Sequence, residues 1–122
     1  LTAGKGSRMG EYGKIINKSL LPVKNKAILS HTIESFSIDD TFVIALGHNA
    51  DQVKSYLKIA HPDRKLCFVN VKNFDGSGSG PGLSLLSCKE FLQEPFYYVP
   101  GDCIIHTDLK KIKFDRFNYI WI

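Results

Sequence analysis

No apolar run in this chain approaches the about 20 residues of a membrane-spanning helix, and no segment has the pattern of a secretory leader. There is no Cys-x-x-Cys pair. The three cysteines, Cys67, Cys88 and Cys103, are far apart, which argues against a zinc framework. Their odd number and apolar surroundings predict reduced, packed thiols, as in a cytoplasmic protein. A dense Lys/Arg run with interleaved aromatics is also missing, so nucleic acid is not an expected partner.

Three generic motifs are absent as well. A dinucleotide fingerprint needs glycine where Met9 stands. The pairs Gly4-Lys5 and Gly13-Lys14 are followed by Gly6 and Ile15, so neither supplies the Ser or Thr of a P-loop. Gly76-Ser77-Gly78-Ser79-Gly80 has glycine where a nucleophile elbow needs serine.

What is present is 122 residues of ordinary globular composition, 43% hydrophobic and 23% charged, enough for one domain with a core. The net charge of +4 suits phosphate ligands. The stretch Leu1-Thr2-Ala3-Gly4-Lys5-Gly6-Ser7-Arg8-Met9 reads as a strand end, a glycine-rich turn and an arginine. Glycines let backbone N–H groups approach a ligand, and successive N–H groups form a concave anion site. A second cation, Lys18, follows in Asn17-Lys18-Ser19-Leu20-Leu21-Pro22-Val23, which points to a polyphosphate.

Apolar spacing predicts alternating helices and strands. Gly10 to Asn17 reads as a mobile loop, and Lys24-Asn25-Lys26 as a turn. Leu29, Ile33 and Phe36 mark an amphipathic helix over Ala27 to Phe36. Phe42 to Leu46 is a continuous apolar run, as in a parallel strand covered on both faces. Asn49 with Gln52 reads as a capping box for a helix with Val53, Tyr56, Leu57 and Ala60 inward, stopped at His61-Pro62. Leu66 to Val71 is the next strand. The Gly/Ser-rich stretch Asn73 to Gly82 then opens onto a helix with Leu83, Leu86, Phe91 and Leu92 apolar. Phe96 to Val99 and Phe117 to Ile122 complete the strands.

The expected fold is therefore α/β: a doubly wound, mostly parallel, Rossmann-like sheet with helices on both faces. Ligands of such a sheet sit beyond the carboxyl ends of the strands, where the Gly4 turn, the Gly80 loop and Asp102 would gather. The short apolar lead before Gly4, the lack of an initial methionine and the apolar C-terminus suggest a single domain, 1–122, truncated at both ends. The Gly4 turn would then be the least ordered part of its site.

The two blocks carry a resemblance. Gly4-Lys5-Gly6-Ser7-Arg8-Met9 matches G-x-G-[ST]-R-M, and Lys18-Ser19-Leu20-Leu21-Pro22-Val23 matches P-K-x-L-x-P-V apart from its proline, replaced by Asn17. In that order and spacing they resemble the N-terminal part of the nucleotidyltransferase family, in its sugar-phosphate and MobA-like forms. Alone, Arg8 and Lys18 read as solvated cations and Asp102 as a turn residue.

The resemblance implies in-line attack on the α-phosphorus of a nucleoside triphosphate, with pyrophosphate leaving. It implies that Arg8 and Lys18 act on the phosphates, and that Leu1, Ala3, Gly4, Gly6, Ser7, Gly80 and Gly82 bind the nucleotide. Asp102 would hold Mg²⁺ as cofactor. The partners would be a nucleoside triphosphate and a small phosphorylated acceptor such as a sugar 1-phosphate for surface polysaccharide, with a homo-oligomer also compatible. Phosphocholine-type cytidylyltransfer, molybdopterin-type guanylyltransfer and a non-catalytic nucleotide-binding module are alternatives. Asn17 removes a fixed φ before Lys18, which predicts a less constrained lysine. The second metal carboxylate has no motif: Asp108 and Asp115 are unassigned.

Overall fold

The computed structural model describes residues 1–111 and 117–120. Asp115, Trp121 and Ile122 lie outside the described residues. Helices α1 (Glu11–Ile15), α2 (Ile28–Glu34), α3 (Ala50–Ala60) and α4 (Pro81–Ser87) alternate with strands β1 (Pro22–Val23), β2 (Lys26–Ala27), β3 (Thr41–Leu46), β4 (Lys65–Asn70), β5 (Tyr97–Tyr98) and β6 (Tyr119–Ile120). Among the described residues no helix is long and apolar enough to cross a membrane.

Strands β1 and β2 form an antiparallel hairpin, turned at Lys24 in the left-handed region. Strands β3 and β4 pair in parallel from Thr41↔Lys65 to Leu46↔Asn70, and β5 and β6 pair in parallel at Tyr97↔Tyr119. Residues 1–3 run between these two parallel pairs. Thr2 N donates to Ala45 O at 3.0 Å and His48 N donates to Ala3 O at 3.0 Å. On the other edge Leu1 N donates to Val99 O at 2.8 Å, and Gly101 N to Leu1 O at 2.7 Å. The lead into the glycine turn is thus held from both sides, and Thr2 and Ala3 are buried.

Side chains alternate across a strand, and β3 uses both faces. Ile44 and Leu46 pack with Leu29 and Ile33 of α2 and Val53 and Leu57 of α3. Ala45 faces the opposite way, among Ala3, Val71 and Cys88 at the end of α4. A strand apolar at every position is what two covered faces require. All three cysteines are free; Cys88 is buried, and burial pushes its thiol up.

Several local expectations need correction. Gly10 to Asn17 is not a loop throughout: α1 occupies its centre, with Gly13 buried. Asn49 sits in the left-handed region at φ 51° and makes no side-chain cap bond. Gln52 instead accepts from Asn17 N at 3.3 Å and donates to Ile15 O at 2.7 Å, leaving the helix for the neighbouring segment. Ala60 is exposed on the last turn of α3. After Ser87 the chain tightens into a 3-10 turn, Lys89–Phe91, which rotates Phe91 outward; Leu86 is exposed as well. Strands β5 and β6 are each two residues long within the stretches expected for them.

Candidate active site

The glycine turn hangs from the end of the strand-like lead. Gly6, at φ 64° and ψ 39°, caps a 3-10 turn, Ser7–Met9, and its carbonyl accepts from Met9 N at 2.8 Å. The left-handed region favours glycine, and a Cβ on Gly6 would also stand 3.0 Å from Met9 Sδ. None of the N–H groups of Gly4 to Arg8 is bonded to a backbone acceptor among the described residues. Arg8 is exposed and makes no ion pair among them. Helix α1 braces the turn from behind. A Cβ on Gly13 would stand 2.8 Å from Gly6 O, so only glycine allows that contact. The His48 ring binds Gly13 O through Nε2.

Lys18 opens a second 3-10 turn, Lys18–Leu20, and its side chain lies along the glycines. A Cβ on Gly4 would meet Lys18 Cε at 3.7 Å. Lys18 Nζ donates to Asp102 Oδ2 at 2.8 Å, bringing together residues 84 positions apart. Burial alone would raise the Asp102 carboxyl, but the Lys18 hydrogen bond and charge outweigh it and hold it below its ordinary value. Asp102 follows β5 beyond Gly101, which touches Leu1 backbone to backbone. A Cβ on Gly101 would stand 2.3 Å from Leu1 O.

The expected looseness of Lys18 is corrected by Asn17. Its backbone adopts φ −67° and ψ 134°, the φ that proline would impose. Its side chain is fully buried and fully bonded. Nδ2 donates to Thr2 O at 2.8 Å and His48 O at 2.6 Å, while Oδ1 accepts from Ser19 N at 3.0 Å and Ser19 Oγ at 2.8 Å. Polar atoms buried with partners in place are specific ties rather than liabilities.

The second glycine-rich stretch reaches the first through Lys5, whose ammonium pairs with Asp75. That hydrogen bond is the main cause holding the Asp75 carboxyl below its ordinary value. Phe74 packs at Gly47, where a Cβ would come within 2.7 Å of its side chain. Gly80 precedes α4 in extended backbone, and Gly82 lies within the helix; a Cβ at either would meet nothing within 4 Å. Open space therefore borders both. Leu1 and Ala3 spend their carbonyls on Gly101 N and His48 N, within the sheet. Sequence reasoning missed Lys5 and Asp75. Their charges could have suggested a pair, but nothing local connects positions 70 apart.

Asp102 is one carboxylate, and among the described residues no group of three or more His, Cys, Asp or Glu could hold a metal. Zinc, which takes three or four side-chain ligands, does not fit. Mg²⁺ fits, because it binds through one or two carboxylates and completes its shell with phosphate oxygens and water. N–H groups without a backbone acceptor among the described residues, two cations and a carboxylate in one place have the chemistry to take a polyphosphate.

Comparison with known proteins names the family. The model of the MobA-like NTP transferase domain matches residues 1–110, and the chain belongs to that family of nucleotidyltransferases. It is 28% identical over 120 residues to the Bifunctional protein GlmU of Methanocaldococcus jannaschii, covering 98% of this chain and 27% of that protein. The GlmU of Methanococcus maripaludis strain C7 is 25% identical, with 92% of this chain and 26% of the relative covered. The CMP-5'-(3-aminopropyl)phosphonate synthase of Streptomyces rubellomurinus is 29% identical over 107 residues, 85% of this chain and 17% of that protein. The chain thus spans about a quarter of the length of the GlmU relatives. No solved structure matches it.

Proposed function

We propose that the protein joins a nucleoside triphosphate to a sugar 1-phosphate, releasing pyrophosphate, in the cytoplasmic supply of precursors for surface polysaccharide. An oxygen of the acceptor phosphate attacks the α-phosphorus in line. The new P–O bond forms as the bond from the α-phosphorus to the bridging oxygen breaks, and that electron pair leaves with pyrophosphate. Such a reaction needs positioning and charge compensation more than covalent chemistry. The free N–H groups from Gly4 to Ser7 cradle the phosphates, and the planar fork of Arg8 grips the outer ones. Lys18 offsets charge beside the reacting phosphorus. Asp102 holds Mg²⁺, which when bound screens the phosphate oxygens. Gly80 and Gly82 border the nucleobase and ribose. The complete domain is taken to be a doubly wound sheet, a reading supported by the two covered faces of β3.

The observation that carries this reading is the contact of Lys18 Nζ with Asp102 Oδ2 at 2.8 Å, alongside Gly4. It sets a cation and a carboxylate beside a turn whose N–H groups meet no backbone acceptor among the described residues, which supports this reading. The test is pyrophosphate release by the full-length protein with Mg²⁺, the common nucleoside triphosphates and a panel of sugar 1-phosphates. Turnover that survives both Arg8→Ala and Asp102→Asn would sink the proposal. A second reading is a cytidylyltransferase with a phosphonate or phosphocholine acceptor, favoured by the printed name of the Streptomyces relative. Turnover with CTP and such acceptors, but with no sugar phosphate, would select it.

A further inference from the structure

We propose that Asn17 is a positioning residue: its buried carboxamide sets the reach of Lys18 toward the reacting phosphate by locking the Lys18 turn to the strand that carries the glycine turn. The inference rests on the function proposed above and deepens it. Asn17 touches neither Arg8 nor Asp102 in the hydrogen bonds it makes. Any role in the reaction runs through the backbone that it ties, and the residue beside it in that backbone is Lys18.

The geometry is specific. Thr2 O and His48 O belong to segments that do not adjoin the Lys18 turn in sequence, lying 15 and 31 positions from Asn17. One NH₂ group bridges both. Thr2 is itself fixed on β3, with Oγ1 donating to Ala45 O at 2.8 Å. On its other side the carboxamide oxygen takes both the N–H and the hydroxyl of Ser19, the residue after Lys18. The backbone of Lys18 is thus held between Asn17 and Ser19, and its side chain runs along Gly4 to Asp102. A proline here would supply the same φ but neither bridge, because its ring has no donor or acceptor. The bland alternative is a polar core residue that satisfies itself and only adds stability. It predicts loss of folded protein with no special dependence on Lys18.

The test uses the full-length protein and pyrophosphate release, with a thermal melt to correct each rate for the folded fraction. Asn17→Ala is expected to lower kcat about ten- to a hundredfold, as expected for a misplaced catalytic group, while KM for the nucleotide changes little. The deciding measurement is the double variant. If Asn17 acts through Lys18, Asn17→Ala adds no further loss on a Lys18→Ala background; independent, additive losses overturn the inference. Should Asn17→Ala fail to fold, Ser19→Ala removes one of the two bonds to Oδ1 and leaves both Nδ2 bonds. It is expected to lower kcat less, and again only while Lys18 is present; an unchanged kcat overturns the inference. Unimpaired turnover in Lys18→Ala itself overturns the proposed function and this inference with it. An inactive Lys18→Ala beside an unimpaired Asn17→Ala overturns this inference alone.

Discussion

Lys18 and Asp102 are 29% and 44% exposed at their side chains, so water screens their pairing and it is worth only about 0–1 kcal/mol to the fold. On the proposed reading their closeness matters instead for charge near phosphate. Lys18→Ala is therefore expected to leave the melting temperature almost unchanged while lowering turnover about 10²–10³-fold, as removal of a charge-stabilising donor does. A large drop in melting temperature would mark the lysine as structural. A different residue contributes to the response to pH. His61 is buried, its Nε2 is 2.8 Å from Ser30 Oγ, and burial pushes its pKa below the ordinary 6.5. The unfolded chain then takes up a proton at higher pH than the folded one. Stability from neutral His61 is complete above 6.5 and is lost as pH falls through the folded value. Melts from neutral to acid pH should decline in that window, and His61→Gln should flatten the decline; equal slopes in the two proteins would contradict this. Arg8 and Lys18 stood out in the sequence because two short blocks contain them, and Asp102 because it follows an expected strand. Asn17 was legible only as a departure, since the carbonyls that hold it are distant in sequence.

Elements were legible where one segment buries its own pattern. The unbroken apolar run of β3 announced two covered faces, and Val53 and Leu57 announced the inner stripe of α3. Helix α1 was missed because its five residues carry no apolar stripe; Tyr12 and Ile15 are exposed, and the helix packs through the bare backbone of Gly13. The apolar Leu86 and Phe91 misled in the other direction, since they follow a helical period that the chain leaves at Ser87. Glycines separate the two kinds of constraint. Gly101→Ala would drive a Cβ into Leu1 O and Thr2 Cγ2, and is expected to destabilise by about 1–3 kcal/mol, as overpacking does. Gly82→Ala, inside α4 with open space around it, should stabilise by about 0.4–1 kcal/mol. If the nucleobase rests there, the same substitution weakens nucleotide affinity. Denaturant melts and nucleotide titrations of the two variants check both expectations, and a stabilised Gly82→Ala with unaltered affinity would remove Gly82 from the site.

At the scale of the whole molecule, the glycine turn, the Lys18 turn and Asp102 meet through the Lys18 side chain, although they are far apart in sequence. Alternating strands and helices made the meeting of the glycine turn with Asp102 legible. The insertion of residues 1–3 between β3 and the chain after β5 was not, because three residues are too few to show a period. A nucleoside triphosphate with Mg²⁺ should raise the melting temperature of the full-length protein, since ligand at a hundred times its Kd adds about 2.7 kcal/mol. No shift with any of the common nucleotides would remove the basis for the site. The inserted lead also governs when the site comes into being. Leu1 meets Val99 across 98 positions of sequence, and Thr2 meets Ala45 across 43. Contacts so distant along the chain close slowly and late in folding. On the proposed reading, a nascent chain that has made the glycine motif owns no phosphate site until the segment around Gly101 has been synthesised and has docked. On that reading, nucleotide binding reports that these distant contacts have closed.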